Sequence, residues 1–161
     1  MIGWLLSPNV TAEIIRAGGS ARVKARAAGP DEATLYLSIL TIAEYDKGIA
    51  NLPDGDPRRP VFMATRDRLA ARFAARLLAV CDAIVRRWGS ISGTVRRDTG
   101  HPPPVIDTLL AAIALDHDLY LVTRNVRDVR HSGAAVFNPW EDDPSAFPVI
   151  PGRRRRGPPR A

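Results

Sequence analysis

Cysteine, long apolar runs and glycine-rich phosphate loops are scarce or missing in this chain, and each gap removes a class of function. The one cysteine, Cys81, rules out a disulfide framework and a cysteine-rich zinc site, and a reducing, cytoplasmic setting is expected. No stretch approaches the roughly 20 apolar residues that a membrane helix needs, so no membrane partner is expected. The opening MIGWLL is apolar but too short for a secretory signal, and no basic region precedes it. No glycine-rich turn follows this first apolar run, so the fingerprint of a dinucleotide-binding domain is absent. His101, His117 and His131 lack metal-ligand spacing and belong in turns or on the surface. Asp54 and Asp56 resemble a calcium loop only in passing, because the rest of an EF-hand motif is missing.

What is present is enough apolar material for one folded unit: 161 residues, 45% of them hydrophobic. The net charge of +6 is uneven, because IPGRRRRGPPRA at 150–161 holds five arginines and no acid. Setting those five aside leaves +1 on residues 1–149, so the high pI describes mainly a tail. Gly, Pro and Arg cannot build a core, and a disordered tail over 150–161 is expected after a folded unit over 1–149. That tail would either add salt-sensitive affinity for nucleic acid or be a solvated terminus.

Strand-length apolar runs alternate with helical patterns. Met1 to Leu6, Leu35 to Leu40, Leu78 to Val80, Leu119 to Val122 and Ala134 to Phe137 read as strands. Helices are expected from Val10 to Arg16, within 17–34, and from Thr41 to Leu52. A further helix follows the 53–60 loop, with Phe62, Leu69, Phe73 and Leu77 on one face, and another is capped by Asp82. The last begins at Pro104, whose missing N–H is no loss in a first helical turn. Its run Val105, Ile106, Leu109, Leu110, Ile113 and Leu115 should be buried. This alternation predicts an α/β fold in three layers, helices covering both faces of a mostly parallel sheet of about five strands.

In such a sheet ligands gather at the carboxyl ends of the strands, and several polar residues fall there by chain order. Ser7 and Asn9 follow the first strand, Glu44 opens the helix after the second, and Asn125 and Asp128 follow the fourth. Asp107 lies near the start of the apolar helix, where an unpartnered acid needs an explanation. Asp116, nine residues and roughly 2.5 turns further on, belongs to the opposite end. Acids brought together repel unless a cation sits between them, and an all-oxygen set suits Mg²⁺ or Mn²⁺. Such a site can hydrolyse phosphodiesters. Each residue also has a plainer reading. Thr41-Ile-Ala-Glu44 matches a capping box, Asp107 suits a helix dipole, and Asp128 could cap a short turn.

Five segments, MIGWLLSPNV, LYLSILTIAEYDKGI, PPPVIDTLLAAIAL, LYLVTRNVRDV and FNPW, occur in an order and spacing that resembles the PIN-domain ribonucleases. Among these, the chain is similar to the VapC-type toxins of bacterial toxin–antitoxin pairs. The resemblance covers residues 1–140 and implies a Mg²⁺-dependent endoribonuclease (with Mn²⁺ as a substitute), inhibited by a cognate antitoxin and often homodimeric. It implies that Glu44, Asp107 and Asp128 are the catalytic metal-site acids, and that Asn9, Arg124 and Asn125 meet the RNA. It also exposes a departure. The family pattern after the first strand is Asp-Thr-Asn, and here it reads Ser7-Pro8-Asn9. A principal carboxylate ligand becomes a neutral hydroxyl, so weakened metal binding and impaired cleavage are expected. The alternative implied is an inactive relative that binds antitoxin or RNA.

Overall fold

In the computed structural model, which describes residues 3–143, a five-stranded, wholly parallel sheet has strand order β3-β2-β1-β4-β5. The strands are β1 (Gly3–Leu6), β2 (Leu35–Ser38), β3 (Leu77–Leu78), β4 (Leu119–Val122) and β5 (Val136–Phe137). The helices are α1 (Pro8–Ile15), α2 (Ala21–Ala28), α3 (Ile39–Ala50), α4 (Arg58–Arg72), α5 (Asp82–Thr99), α6 (Val105–Asp116) and the single turn α7 (Val126–Val129). The expected tail at 150–161 and the end of the expected folded unit lie outside the described residues. Among the described residues no helix is long and apolar enough to cross a membrane.

The period-two alternation of a strand assigns the layers. Leu5 and Leu121 point to one face and pack with Ile84 of α5, Leu110 and Ile113 of α6, and Val129 of α7. Leu6, Leu37 and Val122 point to the other and pack with Val10 of α1, Val23 of α2, Ile42 of α3 and Leu69 of α4. Helices therefore cover both faces, and every residue of the interior strand β4 is buried, as a two-sided parallel strand requires.

Local chemistry moves several boundaries from their expected places. Strand β2 stops at Ser38, whose hydroxyl accepts from Leu40 N–H at 3.1 Å and starts α3 two residues early. Helix α1 starts at Pro8 rather than Val10, with Ser7 extended (φ −75°, ψ 162°), as a residue before proline prefers. Helix α5 is preceded by Cys81, and Asp82 lies inside its first turn rather than capping it. It ends at Gly100, whose φ of 78° only glycine adopts freely, with its N–H on Arg96 O at 2.8 Å. On α4, Leu69 and Phe73 are buried as expected, but Phe62 is 37% exposed and Leu77 belongs to β3. Helix α6 is buried at Thr108 and over Leu110–Ala114, whereas Ile106, Leu109 and Leu115 are only half-buried and Val105 at its start is 53% exposed.

Leu110 is 1% exposed at the centre of the α5–α6 side. Leu110→Ala is expected to cost about 2–5 kcal/mol of unfolding free energy through the cavity it leaves. Urea denaturation followed by circular dichroism measures this, and a loss under 1 kcal/mol would show that α6 is not packed as described.

Candidate active site at the carboxyl edge of the sheet

Strand order reverses between β1 and β4. From β1 the chain crosses outward to β2 and β3, whereas β4 and β5 lie on the other side. The segment leaving β1 turns to one face as α1, and the segment leaving β4 turns to the opposite face as α7. A crevice opens at their carboxyl ends, where parallel sheets take ligands.

The pairing of Leu6 with Val122 places Ser7 and Thr123 next to each other at this edge, and Ser7 N–H donates to Val122 O at 3.0 Å. Both residues are 1% exposed. From them a chain of hydrogen bonds runs across the crevice. The Ser7 hydroxyl donates to Asn9 Oδ1 at 2.8 Å, and Asn9 Nδ2 donates to Thr123 Oγ1 at 3.3 Å. Arg124 N–H also reaches Asn9 Oδ1, at 3.3 Å. Asn125 N–H donates to Thr123 Oγ1 at 3.1 Å, and its side-chain Nδ2 donates to Asp107 Oδ1 at 3.2 Å.

Asp107 is thereby tied to the crevice from the first turn of α6. Partial burial pushes its carboxyl above the usual aspartate range, opposed by the Asn125 amide and reinforced by the negative charges of Asp128 and Glu44. Three acids from three elements thus act on one another here. The plainer reading of Glu44 fails on geometry. Thr41 lies inside α3 behind the Ser38 cap, and its buried hydroxyl has no hydrogen-bond partner, so no capping box forms. Glu44 meets only Lys47 at 3.5 Å, a loose pair on the helix surface. Asp128 stands in the first turn of α7, where the N-cap position belongs to Asn125. Asp116 ends α6 at the far side, 3.4 Å from Arg87, in keeping with its reading as a turn residue.

Every residue expected at the edge is found there, although Ser7 approaches Asn9 and none of the acids by a hydrogen bond. Thr123 was missed. It is the first residue after β4, as Ser7 is after β1, and the same positional rule applied to VTRN would have found it. Among the described residues no three His, Cys, Asp or Glu side chains stand close enough together to hold a metal ion. The donors are nonetheless oxygen-only and anionic, which fits a hard cation that keeps several of its own waters, as Mg²⁺ does.

No family model matches the chain. It is similar to the toxin FitB of Neisseria gonorrhoeae, 29% identical over 138 residues, spanning 86% of this chain and 99% of FitB. It is 31% identical over 137 residues to the plasmid stability protein StbB of Pseudomonas syringae pv. tomato, spanning 85% and 98%. The chain belongs to the VapC-type PIN-domain toxins. A third member, the VapC ribonuclease Y4jK of Sinorhizobium fredii, is 28% identical over 138 residues, spanning 85% and 97%. The FitAB complex bound to an IR36 DNA fragment contains a chain superposing with a TM-score of 0.76 at 27% identity, over 87% of this toxin and 97% of that chain. VapBC-1 of nontypeable Haemophilus influenzae shares the fold, with a TM-score of 0.71 at 19% identity over 88% and 100%.

The raised Asp107 carboxyl makes a pH prediction for the metal-free toxin. Below the ordinary aspartate range, folded and unfolded chains both hold the proton and no penalty exists. As pH rises through the folded value, the ionised carboxylate costs stability. Asp107→Asn should therefore melt about 1–3 °C above the parent at pH 7, small because the carboxyl is partly in water, and equal to it near pH 3. Thermal melts in EDTA across that range test this, and a variant that melts lower at pH 7 would contradict the sign.

Proposed function

We propose that this VapC-type toxin hydrolyses phosphodiester bonds of RNA with a divalent ion, Mg²⁺ or Mn²⁺, and that its activity is restrained by Ser7. The partly buried Asp107 carboxyl, held at the strand-order reversal by Asn125 and raised by burial and by the charges of Asp128 and Glu44, carries this reading. Asp107 would hold the ion, with Glu44 and Asp128, which do not stand close enough to it to share a metal directly, reaching the ion through its own waters, with Asn125 orienting Asp107 and with Asn9 and Arg124 facing the substrate. When bound, the ion supplies an activated water and offsets charge developing on the phosphate. The chain's own share is to hold carboxylates whose repulsion a cation relieves.

Ser7 sets the limit. It brings no charge, and its proton is already committed to Asn9. A site one carboxylate short binds Mg²⁺ less tightly, because this ion gives up its waters reluctantly. The same observation favours a second reading, a toxin relative that binds antitoxin or RNA without cutting. Exposed Val61, Phe62 and Met63 at the start of α4 support docking of an apolar segment from a cognate antitoxin. Exposed Ile39 and Val85 support a second copy of the chain as partner in a homodimer. A cytoplasmic location fits both readings, since RNA and the antitoxin would be met there.

Cleavage of end-labelled RNA by the parent and by Ser7→Asp with Pro8→Thr, in Mg²⁺, Mn²⁺ and EDTA, separates them. The parent is expected to cut slowly, and the double variant faster by about 10-fold or more, on the scale by which metal-site changes alter activity. Asp107→Asn and Glu44→Gln should each lower the faster rate by about 100-fold. Equal, EDTA-sensitive rates for parent and double variant would remove the restraint assigned to Ser7. No cleavage by either would remove the nuclease assignment.

A further inference from the structure

The arginines of this toxin differ in what holds them. Two along α4 are neutralised by acids: Arg66 pairs with Asp46 at 2.6 Å and Arg72 with Glu32 at 2.9 Å. Arg124 instead sits over an aromatic ring, its Cζ 5.2 Å from the Trp140 centroid. Glu13 is within electrostatic reach but is occupied by Arg16 and by the Ser20 N–H. Because Arg124 is exposed, the guanidinium face turned away from Trp140 meets solvent.

Both halves of this stack are fixed. Arg124 N–H is held by Asn9 Oδ1, and the preceding Thr123 N–H is held by Phe137 O at 3.0 Å. Trp140 packs against the α1–α4 side of the core, and its N–H donates to Asn138 Oδ1 at 3.1 Å. Two arginines of α2 clamp the flanking backbone, Arg26 on Pro139 O at 3.1 Å and Arg22 on Glu141 O at 3.0 Å. The result is a planar cation with a rigid backing, one residue along the chain from the Thr123–Asn125 clasp on Asp107.

A phosphate is gripped by the N–H edge of a guanidinium, which leaves its planar face, here backed on one side by Trp140, for another kind of contact. A flat guanidinium with one face covered and one face free is the shape on which an unstacked nucleobase lies. We propose that Arg124, backed by Trp140, is a stacking subsite for one base of single-stranded RNA, placed beside the acids so that it sets which internucleotide bond is presented. This rests on the RNA-hydrolysing reading above and adds a base-reading, specificity-determining element to it.

Binding without cleavage tests it. The full chain, in EDTA, is titrated by fluorescence anisotropy against end-labelled single-stranded RNA, and against matched oligomers with one abasic nucleotide placed at successive positions. One abasic position is expected to weaken binding by about tenfold. Arg124→Lys, which keeps the charge and loses the plane, should weaken binding of intact RNA by a similar factor, and should bind that abasic oligomer as well as the parent does. Trp140→Leu should behave likewise if its melting matches the parent; if it unfolds, Arg124→Lys carries the test. Unchanged affinity in Arg124→Lys would overturn the proposal. So would an equal loss on intact and on every abasic oligomer, which would make Arg124 a phosphate contact only. A parent that binds RNA with no abasic-sensitive position fails the stacking subsite alone, whereas a parent that binds no RNA fails the RNA-hydrolysing reading with it.

Discussion

The reversal of strand order between β1 and β4 is the constraint on which the rest depends. Two adjacent parallel strands end together, and the chain leaves them toward opposite faces of the sheet. No backbone crosses the gap between α1 and α7, so side chains close it. Asn9, Thr123 and Asn125 do so with hydrogen bonds of 3.1–3.3 Å, and the last link reaches Asp107 on α6. Each bond is modest in net terms, about 1 kcal/mol, but leaving the buried Thr123 hydroxyl without its partners would cost more. The network fixes the first residues after both strands with respect to each other, and the acids take their places around it.

Position 7 shows how stability and chemistry compete in that gap. At 1% exposure, a carboxylate there would be desolvated and would need a cation or several donors to stay charged. Serine avoids the cost, and Pro8 after it begins α1 with the backbone already extended at residue 7. Ser7-Pro8 is therefore a good helix start and, on the metal-dependent reading proposed above, would be a poor metal ligand. The hydroxyl is also integrated rather than vestigial. It donates to the same Asn9 oxygen that receives Arg124 N–H, so a carboxylate at this position, an acceptor only, would force the Asn9 amide to rearrange.

Much of this was legible in the chain. The five apolar runs became the five strands, and Ile84, Trp88, Ile91 and Val95, which recur in the sequence at i, i+4, i+7 and i+11, form the inner face of α5. Glu44, Asp107 and Asp128 were placed at one edge from chain order. Boundaries were less legible, because they turn on which residue wins the cap. Ser38 outcompeted Thr41, which no count of apolar periods reveals. Trp140 was illegible for another reason. A tryptophan in an NPW segment carries no pattern of its own, and its role comes from a partner distant in sequence, Arg124, just as the bond from Asn9 to Thr123 could not be read from either position alone.

The sequence by itself determined the alternation of strands and helices, the two-faced core and the types of residue available at the carboxyl edge, because these follow from local periodicity and chain order. It also determined that residue 7 carries no charge. Only the tertiary structure decided which polar groups meet. Strand register brought Thr123 beside Ser7, α6 brought Asp107 within reach of Asn125, and the loop after β5 slid Trp140 under Arg124. Hydrogen bonds and stacking act over a few ångströms between residues that are far apart in the chain, and local pattern holds no information on such distances.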